Sequence, residues 1–81
     1  MSTVELQVVD WTRSRRAEAE VPLDTPVGEL LGEVRDALSL SRETPYHLIY
    51  QGRKLNSSET LEEIGVEPGD EFTVAPEVSA G

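Results

Sequence analysis

The most restrictive feature of this chain is that one segment has the spacing of an amphipathic helix. Apolar residues between positions 27 and 38 recur at offsets of 0, 3, 4, 7 and 11, which form one stripe of an α-helix: Val27, Leu30, Leu31, Val34 and Leu38. Asp24 or Thr25 is placed to cap this helix, with Pro26 as its first residue. A single helix covers one face of a sheet, so we expect the other segments to form that sheet.

The segments on either side of the helix alternate apolar and polar residues, as half-buried strands do. Before the helix, residues 4–9 and 15–21 are joined by a polar turn and predict an antiparallel hairpin. After the helix, residues 46–55 predict a strand, a tight turn at Gly52 and a short returning strand. Residues 60–64 fit one helical turn that stops at Gly65, and residues 71–75 fit a last strand.

This order of elements predicts an α+β fold in which a mixed sheet of four to five strands carries one helix on one face and a short helical turn. That arrangement is the β-grasp. We expect residues 1–76 to form the domain and residues 77–81 to form a flexible C-terminal tail, because the last segment has no periodicity. In the strand that starts at Tyr46, Leu48 and Tyr50 share one face, so Ile49 is expected to face solvent with His47 beside it.

The net charge bears on the classes of partner that the chain can bind. With 16 acidic and 7 basic residues the formal charge is −9, which argues against binding to nucleic acid or to an anionic membrane. The sequence has no apolar run near the roughly 20 residues that span a bilayer, and it has no secretory signal pattern. We therefore expect a cytoplasmic monomer whose partners are proteins.

Few residues in this chain are suited to catalysis or to metal binding. Cysteine is absent and His47 is the single histidine, so the sequence offers neither a thiol nucleophile nor an orienting pair for one. Glu62 and Glu63 are adjacent and point in different directions, and no loop has the ligand spacing of a calcium site. We expect no enzymatic activity, no metal site and no cofactor.

One stretch carries a resemblance to a known family. The segment His47-Leu-Ile-Tyr-Gln-Gly-Arg-Lys-Leu55, followed by Thr60-Leu61, resembles the corresponding part of ubiquitin in residue type and spacing. The resemblance covers nearly the whole chain. It implies that Ile49 is the central residue of an apolar recognition patch. The other positions of that patch fall on Trp11, Thr73 and Ala75, with His47 next to Ile49 on the same strand face.

The resemblance also assigns a role to the end of the chain. The sequence closes on Ala80-Gly81, where ubiquitin-like modifiers have two glycines. The resemblance implies that an activating enzyme activates the carboxylate of Gly81 and that a conjugating enzyme joins it to an amine. It also implies that a deconjugating protease releases it. Lys54 is the single lysine, so the acceptors for chains of this protein would be Lys54 and the α-amine of Met1.

Two further classes of β-grasp protein stay open at this point. One is a non-conjugated interaction adaptor, similar to the YukD/EsaB-type proteins associated with type VII secretion. The other is a sulfur carrier, which also uses a terminal glycine. The tail that ends at Gly81 favours the modifier over the adaptor, and Ala80 departs from the double glycine of modifiers and sulfur carriers alike.

Overall fold

The computed structural model describes residues 2–77 and consists of a five-stranded sheet with one long helix and one short helix. The elements follow the chain in this order: β1 (Thr3–Asp10), β2 (Arg16–Pro22), α1 (Val27–Ala37), β3 (Tyr46–Tyr50), β4 (Arg53–Lys54), α2 (Leu61–Ile64) and β5 (Glu71–Pro76). This order confirms the predicted β-grasp.

The strands lie in the spatial order β2-β1-β5-β3-β4. β1 and β5 are parallel, and the other neighbouring pairs are antiparallel, so the sheet is mixed. The tight turn between β3 and β4 has positive φ at both central residues, Gln51 (53°) and Gly52 (79°). Such a turn matches the right-handed twist of the strands that it joins.

The core lies between α1 and the face of the sheet that the alternation predicted. The helix contributes the residues of its stripe, and Leu30 has no exposed surface. Leu31 is only partly buried and lies at the rim of the core. The sheet, α2 and Leu55, which directly follows β4, complete the core with these side chains: Val4, Leu6, Val8, Val21, Leu48, Tyr50, Leu55, Leu61, Phe72 and Val74.

The predicted cap of α1 is wrong. Pro26 occupies the N-cap position with φ −67° and ψ 148°, and none of the side chains of residues 2–77 caps the helix. Backbone carbonyls of the loop before α2 do so instead. The amide of Val27 donates to Glu59 O at 2.8 Å, and the amide of Gly28 donates to Ser57 O at 3.0 Å. These carbonyls satisfy donors that every helix N-terminus leaves free, so Asp24 and Thr25 are not required.

The short helix α2 ends at Gly65 as the sequence predicts, and it begins with a cap at Thr60 that was not predicted. The Thr60 hydroxyl accepts a hydrogen bond from the Glu63 amide at 3.2 Å, while the Glu63 carboxylate accepts one from the Thr60 amide at 3.0 Å. This reciprocal pair is a capping box. Gly65 ends α2 in the left-handed conformation with φ 84° and ψ 36°. Among residues 2–77, no helix is long and apolar enough to span a bilayer.

Candidate recognition surface

The register of the strands places four of the predicted recognition residues on the outer face of the sheet, away from α1: His47, Ile49, Thr73 and Ala75. Trp11 follows the last residue of β1 and has no place in this register. Thr73 in β5 lies across from Ile49 in β3, and Ile49 lies across from Lys54 in β4. On its other side, Thr73 lies across from Val9 in β1. These residues form a continuous line across the middle of the outer face, because paired residues of neighbouring strands point to the same side.

Ile49 is half-buried on this face, whereas the residues before and after it on the strand, Leu48 and Tyr50, are buried in the core. Val9 also belongs to this line, although the resemblance to ubiquitin assigns it no place in the patch. It is 1% exposed and does not belong to the main core cluster. The doublet Val8-Val9 interrupts the alternation of β1, and that interruption was the available signal.

A second line of residues runs next to the first, nearer to the end of the sheet. His47 in β3 lies directly across from Ala75 in β5. Asp10, the last residue of β1, pairs with Val74, so the following residue, Trp11, continues β1 beside the Ala75 end of β5. The fold therefore places Thr73 and Ala75 on the strand between Ile49 and Trp11.

The turn between β1 and β2 holds Trp11 in an exposed position. The Asp10 carboxylate accepts hydrogen bonds from the amides of Ser14 at 2.9 Å and Arg15 at 3.1 Å, which closes the turn around it. Trp11 is 46% exposed and is the one large hydrophobic side chain in residues 2–77 that is classed as exposed. Its ring centroid lies 6.0 Å from that of Tyr46, whose side chain packs against the core on the same strand face as Leu48. The indole therefore leans toward the rim of the core at the start of β3 and not toward Ile49.

The predicted acceptor Lys54 does not extend freely into solvent. Its Nζ lies 2.8 Å from Oε1 of Glu77, and the same carboxylate oxygen lies 3.9 Å from Nδ1 of His47. The hydrogen bond from Lys54 holds the pKa of Glu77 below its ordinary value, with a smaller contribution from His47. The Glu77 amide also donates to Pro45 O at 2.8 Å. Residue 77 is thus attached to both ends of the β3–β4 hairpin.

The side chains on this face are of the kinds that protein interfaces use. The face combines half-buried Ile49 with the flanking Lys54, and the exposed indole of Trp11 lies beyond the end of β1. Large aromatic side chains are frequent anchors of protein interfaces. Within the part of the chain that the structure describes, no group of three or more histidine, aspartate or glutamate side chains is arranged to hold a metal ion. The predicted conjugation residues Ala80 and Gly81, and Met1, lie outside the described residues.

Comparison with known proteins identifies the family. The sequence of residues 4–75 matches the family model described as "Ubiquitin-2 like Rad60 SUMO-like". No curated protein matches the chain significantly. Among solved structures, the ubiquitin of Caldiarchaeum subterraneum is 30% identical, with a TM-score of 0.83 over 99% of this chain and 100% of that one.

Two other solved structures share the fold at lower identity. The ubiquitin-like domain of Plasmodium falciparum Dsk2 is 16% identical, with a TM-score of 0.81 over 94% of this chain and 100% of that chain. A structure described under the heading "Molecular Mimicry of SUMO promotes DNA repair" is 18% identical, with a TM-score of 0.79 over 91% of both chains. The match of the family model over residues 4–75 and the likeness to an archaeal ubiquitin show that this chain belongs to the ubiquitin-like family.

Proposed function

We propose that this chain is a protein modifier whose Gly81 carboxylate is joined to amines of target proteins. The observation that carries the proposal is the likeness to the Caldiarchaeum ubiquitin, which extends over 99% of this chain, together with the glycine that follows the last strand at the spacing of the family. A glycine at this position allows an extended tail to pass through a narrow channel, because it has no side chain.

The proposed reaction requires protein partners and no activity of the chain itself. An activating enzyme would adenylate the Gly81 carboxylate and transfer it to a thiol, and a conjugating enzyme would deliver it to an amine. A deconjugating protease would reverse the linkage. Ala80 lies next to the reacting carboxylate, so the tail channel of these enzymes would have to accommodate a methyl group at that position. Lys54 and the α-amine of Met1 are the proposed acceptors for chains of this protein.

We propose that the recognition surface of the modifier is the outer face around Ile49. His47, Thr73 and Ala75 lie on this face, and Trp11, which follows β1 beyond the neighbouring β5, is its proposed outer margin. Thr73 and Ala75 are small, so a partner would gain most of its apolar contact from Ile49 and Trp11. We further propose that the chain acts in the cytoplasm as a monomer and binds neither nucleic acid nor membranes, in keeping with its charge of −9.

The test is mass spectrometry on the protein expressed together with its neighbouring genes. We expect peptides that carry a Gly81-linked isopeptide bond, and we expect deletion of Gly81 to remove all of them. Lys54→Arg is the matched control, since it should remove lysine-linked chains and retain single attachment to other targets. Absence of an isopeptide, a thioester and a thiocarboxylate would favour the non-conjugated adaptor. A thiocarboxylate without isopeptides would favour the sulfur carrier.

A further inference from the structure

The base of the tail, Pro76–Glu77, is attached to the β3–β4 hairpin at separate points along its length. Pro76 pairs with Tyr46 in the sheet register, and the Glu77 amide donates to Pro45 O at 2.8 Å. Beyond these backbone contacts, the Glu77 side chain is held by the ammonium of Lys54 at 2.8 Å. The last attachment depends on charge, whereas the others do not.

The ion pair links two positions that have separate roles in the proposed function. Lys54 is the single lysine of the chain and therefore the single ε-amine that can accept an acyl group. Glu77 is the last described residue before the segment that ends at Gly81. Both side chains are partly exposed, at 60% for Lys54 and 41% for Glu77, so reagents and enzymes can reach them.

We infer that acylation of Lys54 releases the Glu77 side chain from the β3–β4 hairpin and so loosens the base of the tail, whose backbone contacts remain. In this step the Lys54 ammonium first loses a proton to solvent, and the free amine Nζ attacks an activated acyl carbon. The bond from that carbon to its leaving group then breaks, and the second proton passes from the nitrogen to the leaving group as the amide forms. The amide nitrogen is uncharged, so the ion pair with Glu77 is lost. Exposed ion pairs stabilise proteins little, so the release is local and the domain remains folded.

His47 is the other group of the described chain that faces the Glu77 carboxylate within 4.0 Å. Its Nδ1 lies 3.9 Å from Oε1 of Glu77, is buried, and has no hydrogen-bond partner in residues 2–77. This distance is too long for a hydrogen bond, so His47 does not replace Lys54 without movement of the carboxylate. Lys54 is therefore the principal attachment of the Glu77 side chain.

This inference extends the proposed function, and it rests on that function only for one source of the acyl group. The donor would be the thioester of another copy's Gly81, whose C–S bond breaks as the isopeptide forms and whose thiol leaves protonated. A small acyl donor such as an acetyl thioester would have the same effect on charge. In either case, a copy modified at Lys54 presents a tail whose base is less firmly held.

The experiment compares the unmodified protein with protein that carries genetically encoded Nε-acetyl-lysine at position 54, by NMR at constant pH and salt. Acetylation should accelerate hydrogen exchange of the Glu77 amide by roughly two- to fivefold, the range expected for an exposed ion pair. It should also raise the pKa of the Glu77 carboxyl toward its ordinary value of 4.5. The exchange of the Val74 amide and the melting temperature should not change.

Three variants test whether protection of the residue 77 amide depends on charge or on the size of the side chains. Glu77→Gln should accelerate exchange of the residue 77 amide as acetylation does. Lys54→Arg keeps a cation and should retain most of the protection, and His47→Gln should also retain it. Unchanged exchange and an unchanged Glu77 pKa in the acetylated protein would overturn the inference, as would equal release by Lys54→Arg. Because acetylation is introduced directly, these results do not depend on whether Gly81 is ever activated.

Discussion

The Tyr50 hydroxyl donates a hydrogen bond of 2.6 Å to Oδ2 of Asp70, which joins the end of β3 to the turn that precedes β5. The same carboxylate oxygen accepts the Glu67 amide at 2.8 Å, and the Tyr50 ring stacks on Phe72 with centroids 4.9 Å apart. Tyr50 therefore combines a core ring with a polar attachment at the edge of the core.

Removal of this hydroxyl should weaken the fold without disturbing the core. We expect Tyr50→Phe to lower the free energy of unfolding by roughly 0.5–1.5 kcal/mol, the usual net value of one hydrogen bond. The phenyl ring still stacks on Phe72, so the decrease should stay below that of a large-to-small core substitution. Urea denaturation of both proteins measures the difference. A variant as stable as the original protein would show that the bond to Asp70 contributes nothing.

The same pair predicts how stability changes with pH. The hydrogen bond from Tyr50 lowers the pKa of Asp70 below 3.8, so its contribution is present above about pH 4 and is lost as the pH falls through the lower folded value. The bond to Asp70 also raises the pKa of Tyr50 from 10.0 to about 12. That contribution is complete below about pH 10 and is lost as the pH rises toward 12. Tyr50→Phe should flatten the stability profile at both extremes, which denaturation at a series of pH values would reveal.

Leu30 tests the position of the core. It has no exposed surface, so Leu30→Ala should lower the free energy of unfolding by roughly 2–5 kcal/mol, as is typical of a buried leucine. Leu31→Ala is the matched control. Leu31 lies at the rim of the core, so this substitution should lower the free energy of unfolding clearly less than Leu30→Ala does. Thermal or chemical denaturation checks the order. Equal losses, or a neutral Leu30→Ala, would contradict the packing of α1 described above.

The two glycines of α1 should respond differently to alanine. A Cβ at Gly32 would meet no atom within 4 Å, so Gly32→Ala should stabilise the protein by about 1 kcal/mol through helix propensity. A Cβ at Gly28 would lie 3.3 Å from Cβ of Ser57, so the loop would have to shift and the gain should be smaller or absent. Denaturation of the two variants measures the difference. Equal stabilisation by the two substitutions would show that the loop around Ser57 can shift without a loss of stability.

Ile49 tests the proposed recognition surface. Ile49→Ala should weaken binding to an activating enzyme from the same genome by more than about 1 kcal/mol, as expected for an interface anchor. It should cost less stability than Leu30→Ala, because Ile49 is half-buried. Leu31→Ala, which removes an aliphatic side chain on the helix side, should leave binding unchanged. Calorimetric titration checks both. Intact binding combined with a loss of stability as large as that of Leu30→Ala would assign Ile49 to the core instead.

Local patterns predicted most of the fold, because periodicity and turn residues are properties of neighbouring positions. The stripe of α1, the alternation of the strands and the left-handed Gly65 all follow from adjacent residues. The helix cap did not, because its acceptors at Ser57 and Glu59 approach Val27 and Gly28 only in the folded chain. A cap by Thr25 was locally reasonable and was replaced by a tertiary contact.

For the candidate site, too, the sequence predicted features that depend on neighbouring residues but not contacts between distant positions. The outward position of Ile49 follows from the strand period, and its register with Thr73 confirms that the two residues are neighbours. The ion pair of Lys54 and Glu77 was not foreseen, because a surface pair between distant positions leaves no periodic signal. The contact of Trp11 with Tyr46 was missed for the same reason: it depends on how the first turn is placed over the start of β3.

The parallel pairing of β1 and β5 has a mechanical consequence. Gln7 lies across from Glu71 and Asp10 from Val74, so the two strands run side by side in one direction at the centre of the sheet. A pull on the chain beyond Pro76, resisted at Thr3, would draw the strands past each other along their length. Every hydrogen bond between them would bear the load at once, instead of breaking one by one as in a peeled hairpin. A machine that unfolds this domain from its tail would therefore meet its greatest resistance at the first step.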